Sequence, residues 1–319
     1  MGIYFFILTF LYVLTKSLRN YYYRHLFNLF KEFFMIAITG ATGQLGRLVI
    51  QALLQSVPAN QIIAAVRSPA KAQDLVALGV QVRQADYTQP DTLRAAFAGV
   101  DKLLLISSSE VGQRAPQHRA VIDAVKAADV KLIAYTSILR ADTSTLGLAA
   151  EHKETEAALQ ASGVPFVLLR NGWYTENYVG VVATAVQYGA VMGSAKEGRI
   201  AAASRADYAA AAATVLVKDG QAGKVYELAG DTAFTMAEFA AEIAKQSGKP
   251  VAYADMPQAV YAAELVKVGL PEGFAALLAD SDTAAANGGL FDDGHQLSQL
   301  IGRSTTPISH TIATNLIAA

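Results

Sequence analysis

One segment, Thr39-Gly40-Ala41-Thr42-Gly43-Gln44-Leu45-Gly46, constrains what this chain can fold into more than any other. It follows the apolar run Met35-Ile36-Ala37-Ile38 and leads into Arg47-Leu48-Val49-Ile50-Gln51-Ala52-Leu53-Leu54, so a short strand, a glycine turn and a helix start stand in that order. The glycines at 40, 43 and 46 have separable jobs: a tight turn, close backbone approach to a pyrophosphate, and close packing of helix on strand. Phosphate would sit at the helix N-terminus, where unpaired N–H groups and the helix dipole favour an anion. The strand-before, helix-after context makes this a dinucleotide fingerprint, with Gly40, Ala41, Thr42, Gly43, Gln44, Leu45 and Gly46 as its contact residues. A purely structural turn is the competing account.

From Met35 onward short apolar strands alternate with amphipathic helices, the pattern of a parallel sheet with helices on both faces. The reading is strands at 35–39, 61–66, 80–84, 102–106, 131–136 and 165–170, with helices at 44–54, 69–78, 90–98, 113–129 and 149–162. Gly79, Gly99 and Gly163 stand where helices should stop. Segment 174–205 is glycine-punctuated; a helix at 206–217 with the alanine tract Ala209 to Ala213, a strand at 224–228 and a helix capped by Thr235 and ending at Gly248 follow. The fold class expected is α/β: a Rossmann-type doubly wound parallel sheet from 35–171 plus 206–228, and a smaller α+β C-terminal substrate domain from 172–205 plus 229–319.

Residues 1–34 differ in kind, being rich in Phe and Tyr and carrying Lys16, Arg19, Arg24 and Lys31. Their apolar stretch from Ile3 to Leu14 is about 12 residues, short of the ~20 that span a bilayer. No positive charge precedes that run and no small-residue cleavage site follows, so it does not read as a signal peptide. The expectation is an upstream extension outside the fold; an interfacial anchor is the other reading, and membrane contact is expected only through it.

The chain has no cysteine, which excludes thiol nucleophiles, Cys-ligated zinc and iron–sulfur clusters and leans towards a cytoplasmic location. Five scattered histidines offer no pair at metal-ligand spacing, so no metal is expected. With 26 basic against 27 acidic residues there is no footprint for nucleic acid.

Clefts in open sheets lie beyond the carboxyl ends of the strands, so the strand ends carry the chemistry. The second strand ends in Ala65-Val66-Arg67-Ser68. An acid there would take the ribose 2′-hydroxyl of NAD, whereas an arginine accommodates the 2′-phosphate of NADP, so Arg67 points to NADP(H); a solvated arginine opening a helix is the alternative. Asp86 could accept from the adenine amino group or cap helix 90–98. Ser107, Ser108 and Ser109 suit the cofactor ribose, with helix capping as their other reading, and Gln113 and Arg114 would wall the mouth. Thr136 and Ser137 are candidates for the nicotinamide side. Asn171, Gly172, Trp173, Tyr174, Thr175, Glu176 and Asn177 mix an aromatic, amides and a glycine where substrate and nicotinamide ought to meet. Core packing competes for Trp173, the single tryptophan.

Short-chain dehydrogenases commonly use Tyr-x-x-x-Lys, in which lysine lowers the tyrosine pKa for proton transfer to a carbonyl. The one formal match, Tyr12 with Lys16, precedes the fold. Side-chain proton donors are therefore limited to His152, Lys153 or Tyr174, or to none. A quinone accepts hydride readily and its reduced oxygens can be protonated by water, so orientation would suffice.

The glycine segment from Met35, the run Leu103 to His118 around Ser107-Ser108-Ser109, Ala134-Tyr135-Thr136-Ser137 and Leu168-Leu169-Arg170-Asn171-Gly172-Trp173-Tyr174 together closely resemble the NmrA-like atypical short-chain dehydrogenases. Within them the chain is similar to the bacterial NAD(P)H:quinone oxidoreductases, over Met35 to about Pro307. The resemblance implies a two-domain NADPH enzyme that reduces a small-molecule quinone, with cofactor contacts at Gly40 to Leu45, Arg67, Ser107 to Ser109 and Asn171 to Glu176. The family also holds redox-sensing regulators that bind the dinucleotide without turnover, which is the alternative function. A homodimer is one option for assembly.

Overall fold

The computed structural model describes residues 34–318, and the expectation for the N-terminal extension lies outside the described residues. Seven strands form one sheet: β1 (Ile36–Thr39), β2 (Ile62–Val66), β3 (Gln81–Gln84), β4 (Lys102–Leu105), β5 (Leu132–Ile138), β6 (Phe166–Asn171) and, after a long excursion, β8 (Val225–Leu228). Their order is β3-β2-β1-β4-β5-β6-β8, with every neighbouring pair parallel. Residues of β1, β2 and β5 are buried throughout, which is why they read as continuous apolar runs rather than alternating ones. The chain reverses direction across the sheet between β1 and β4, the switch point where a crevice opens.

Helices α1 (Gln44–Leu53), α2 (Gln73–Ala77), α3 (Pro90–Phe97), α4 (Arg114–Ala127) and α5 (Ala149–Ser162) follow the first five strands in turn. Leu93 and Phe97 of α3, Val121 and Val125 of α4 and Leu159 of α5 fill one core with Leu103, Ile133 and Tyr135 of the sheet. On α1, Leu45, Val49, Ile50 and Leu53 recur at helical spacing and are all buried. That helix packs on α7 (Arg205–Val217), whose alanines 209 and 211–213 are buried and let the two helix backbones lie close. The helix expected at 69–78 begins as a tight turn at Pro69–Ala72, and only 73–77 is α-helical.

The segments expected to form a second domain build α6 (Val179–Tyr188), β7 (Ala190–Gly193), α8 (Met236–Ser247), β9 (Ala252–Asp255), α9 (Gln258–Lys267), α10 (Glu272–Ala286), α11 (Gln296–Ile301) and α12 (Ile308–Ala318). Strands β7 and β9 pair in parallel as a sheet of their own. A second core gathers Tyr178, Phe234 and Phe239, whose rings meet at 5.5–6.0 Å, with Ile200, Ile243 and Ile312. Helix α11 departs from that grouping, since it packs on α7 and β8 of the large sheet with Leu297 fully buried. Among the described residues no helix is long and apolar enough to cross a membrane.

Helix α8 opens with a capping box in which Thr235 Oγ1 accepts from Glu238 N–H at 3.1 Å and Glu238 Oε2 accepts from Thr235 N–H at 2.7 Å. Thr235→Ala is expected to cost about 1 kcal/mol, visible as a small fall in the denaturation midpoint with the slope unchanged.

Candidate active site

A cleft of about 560 Å³ opens at the carboxyl ends of β1, β2, β3 and β4. Its floor is the glycine turn. Gly40 sits in the left-handed region at φ +59° and its carbonyl accepts from Gly43 N–H at 2.9 Å. A Cβ on Gly46 would lie 2.4 Å from the Gly40 oxygen and 2.7 Å from Ala41 Cα, so only glycine lets α1 start this near the strand. Helix α1 begins without a side-chain cap and without an acid in its first turn, so no side chain competes for its first N–H groups. This cradle fits the pyrophosphate of a dinucleotide.

Hydroxyl groups join the strand ends behind that floor. Thr39 Oγ1 donates to Leu104 O at 3.2 Å and accepts from Ile106 N–H at 3.0 Å, clamping β1 to β4. Thr136 Oγ1 accepts from Ser107 N–H at 2.8 Å. Ser108 N–H donates to His118 Nε2 at 2.9 Å, which leaves the ring proton on Nδ1 to reach Thr155 Oγ1, also at 2.9 Å. Burial, reinforced by the Arg114 guanidinium, pushes His118 down to about 3, so the ring is neutral and holds the serine loop as an acceptor. Arg114 is itself buried, with Nε donating to Ser108 O at 2.7 Å and Nη1 3.5 Å from Glu151.

Of the residues expected at the cofactor, Gly40, Thr42, Gly43, Gln44, Leu45, Gly46, Arg67, Asp86, Ser107, Ser108, Ser109 and Tyr174 line the cleft. Arg67, exposed at its rim, donates to Glu110 Oε1 at 2.9 Å. Asp86 accepts from Thr88 N–H and Oγ1 at 2.9 and 2.7 Å, a turn contact, while the N-cap of α3 is Gln89, with no side-chain capping bond. Ala41 and Thr136 are buried behind the lining, Thr136 because β5 runs on to Ile138 and spends that hydroxyl on Ser107. Ser137 donates to Glu156 at 2.5 Å, inside the carboxylate cluster around Arg170.

The loop after β6 divides. Tyr174 faces the cleft with the Arg205 guanidinium 4.5 Å above its ring. Burial raises its phenol pKa, so Tyr174 keeps its proton at neutral pH. Asn171 and Thr175 are buried, and Gly172 is tied by its N–H to Leu228 O at 2.7 Å. Trp173 packs against the second core, and Glu176 accepts from Arg205 N–H at 2.9 and 3.1 Å. None of these five lines the cleft.

Two of the three candidate proton donors lie elsewhere. His152 is buried on α5, its Nδ1 2.7 Å from Tyr135 Oη, and burial pushes it down to about 3. It is neutral at physiological pH and does not line the cleft. Lys153 is exposed on the same helix and does not line it either. Amphipathic packing explains both: α5 turns residue 152 inward and its neighbour to solvent.

A family of NAD(P)H-binding proteins matches residues 40–219. The chain belongs to this NmrA-like NAD(P)H-binding family. It is 60% identical to quinone oxidoreductase 2 of Escherichia coli K12 over 279 residues, covering 88% of this chain and 98% of that protein. The crystal structure of the NADPH-dependent quinone oxidoreductase QOR2 from Escherichia coli complexed with NADPH matches with a TM-score of 0.87 at 60% identity, covering 88% of this chain and all of that one. The Citrobacter sp. triphenylmethane reductase complexed with NADP(H) matches with a TM-score of 0.85 at 40% identity, covering 88% and 99%.

In this member of the family, sequence reasoning missed Tyr87, Thr88, Glu110, Gln117 and Arg205, all of which line the cleft. Tyr87 and Thr88 directly follow Asp86 and were within reach of the strand-end rule. Glu110 and Gln117 flank Gln113 and Arg114, but nothing local shows that one of them grips Arg67. Arg205 opens α7 and arrives beside Tyr174 only through the long excursion between β6 and β8.

Proposed function

We propose that this chain is an NADPH-dependent quinone reductase. The observation that carries the reading is one cleft lined by a glycine cradle, by Arg67 and by Tyr174 under Arg205. Bound NADPH would supply a hydride to a quinone held beside it. The glycine turn and the first N–H groups of α1 would hold the pyrophosphate, and Arg67 would pair with the 2′-phosphate through parallel N–H donors. Ser107, Ser108 and Ser109 would face the ribose, and Asp86 with Tyr87 the adenine. Of the candidate donors His152, Lys153 and Tyr174, Tyr174 is the one on the cleft wall, and orientation of the quinone supplies most of what a readily reduced acceptor requires. The part built from 172–205 and 229–319 would shape the quinone pocket, and a cytoplasmic setting accords with this reading.

The test is NADPH consumption, followed by nicotinamide absorbance, on addition of a simple benzoquinone. Turnover is expected. NADPH binding without turnover would instead favour a dinucleotide-sensing protein and overturn the proposal. Arg67→Gln removes a charge-assisted contact and is expected to weaken NADPH about 10- to 100-fold while leaving NADH within a few-fold.

A further inference from the structure

Strand β2 ends without an acid, yet an acid reaches its terminal arginine from another loop. Glu110, beyond the end of β4, accepts from Arg67 Nη1 at 2.9 Å with Oε1 and from Gln117 Nε2 at 2.6 Å with Oε2. All three residues line the cleft. The loop carrying Glu110 is pinned on both sides: Ser108 N–H is held by His118, and Gly112 and Arg114 N–H are held by Glu151 Oε1 at 2.9 and 3.2 Å. The side chains of Arg67 and Glu110 are 73% and 47% exposed, so the pair adds little stability. What it does is fix a negative charge beside the guanidinium.

We infer that Glu110 sets the balance between NADPH and NADH in this cleft, opposing Arg67. The inference rests on the reading that Arg67 receives a 2′-phosphate. A carboxylate hydrogen-bonded to that guanidinium occupies one of its donor directions and sets a like charge against the phosphate, so NADPH must displace it or bind against its field. For NADH the same carboxylate is an asset. It can accept from the ribose 2′-hydroxyl, the task that an acid at the end of β2 performs in NAD-binding sheets. Glu110 thus brings from the β4 loop the acid that β2 lacks, and one cleft holds a recognition group for each cofactor. Gln117 steadies the carboxylate through its second oxygen, so that the oxygen facing Arg67 keeps its place.

The experiment measures the Kd of NADPH and of NADH, each by calorimetry on the purified full chain, for wild type, Glu110→Gln, Glu110→Ala and Arg67→Gln. Glu110 lies exposed on a loop, so its variants are expected to melt within a degree or two of wild type. For Glu110→Gln the NADPH Kd is expected to fall about three- to tenfold and the NADH Kd to rise about two- to fivefold. Glu110→Ala should move both in the same directions, further for NADH because no acceptor is left. The gain for NADPH should shrink in high salt, as an exposed charge effect must. An unchanged ratio of the two constants, or one that moves towards NADH, overturns the inference. Arg67→Gln separates the two failures: if it spares NADPH binding, the 2′-phosphate reading itself fails, whereas if it weakens NADPH alone and Glu110→Gln changes nothing, only the role of Glu110 falls.

Discussion

Replacing Gly46 by valine is expected to abolish dinucleotide binding and to lower the melting temperature by about 6–12 °C, the equivalent of about 3 kcal/mol in a chain of this size. The first added atom already lies 2.4 Å from Gly40 O and 2.7 Å from Ala41 Cα. Both are backbone atoms of the turn itself, and neither can rotate away as the end of a long side chain could. Relief requires α1 to move off β1, which carries its first N–H groups away from the phosphate position and uncovers Val49, Ile50 and Leu53. Gly43→Ala provides the graded comparison, because its Cβ would meet only Gly40 O, at 3.1 Å. That variant should melt nearer to wild type and retain weakened binding. Thermal melts and NADPH titration of the two variants check the order; a valine variant that melts and binds like wild type would show that the turn does not set the helix position.

Acid should destabilise the folded chain well before its exposed carboxylates titrate. His118 and His152 are both buried and both pushed down to about 3, from an ordinary value of 6.5. A histidine whose folded pKa lies below its unfolded one takes up its proton more readily in the unfolded chain. Its stabilising neutrality is therefore complete above about pH 6.5 and is lost as pH falls below that, at about 1.4 kcal/mol per unit for each ring. Between about pH 7.5 and pH 5 the two rings together account for a loss of about 4 kcal/mol. Among the described residues one group acts the other way. Burial raises Asp282 to about 6, so the folded chain protonates it first on the way down and regains about 1 kcal/mol. The net expectation is a loss of about 3 kcal/mol, measured by urea denaturation at the two pH values. His152→Gln keeps a hydrogen-bonding amide beside Tyr135 Oη and does not titrate, so it should remove about half of the histidine contribution. Equal stability at both pH values would show that neither ring is held neutral.

Packing also explains why His152, one of the candidate donors in the sequence, does not line the cleft. Near the missing Tyr-x-x-x-Lys position a histidine looks like a replacement acid, but which face of α5 it occupies depends on how that helix lies on α4 and the sheet. The structure turns it towards Tyr135 and leaves Tyr174, from a different strand end, on the cleft wall. Helix α9 and strand β9 were illegible for a related reason. Helix α9, residues 258–267, is apolar on most sides yet buries only Leu265, so no stripe marks an inward face, and β9 is a strand only because β7, some sixty residues earlier, lies beside it.

What could be read from the residues alone was local or periodic. The strand, glycine turn and helix at 36–53 follow from spacing within a few residues, and continuous apolar runs announced a sheet buried on both faces. Arg67 was legible as a strand-end residue because its position relative to β2 is a matter of counting. Its partner was not. Glu110 stands 43 residues away, and Arg205 reaches Tyr174 after the chain has left the sheet and come back to it. Such pairs are set by crossovers and by the layering of helices on the sheet, which bring distant residues within a few ångströms while leaving no trace in the sequence around either one.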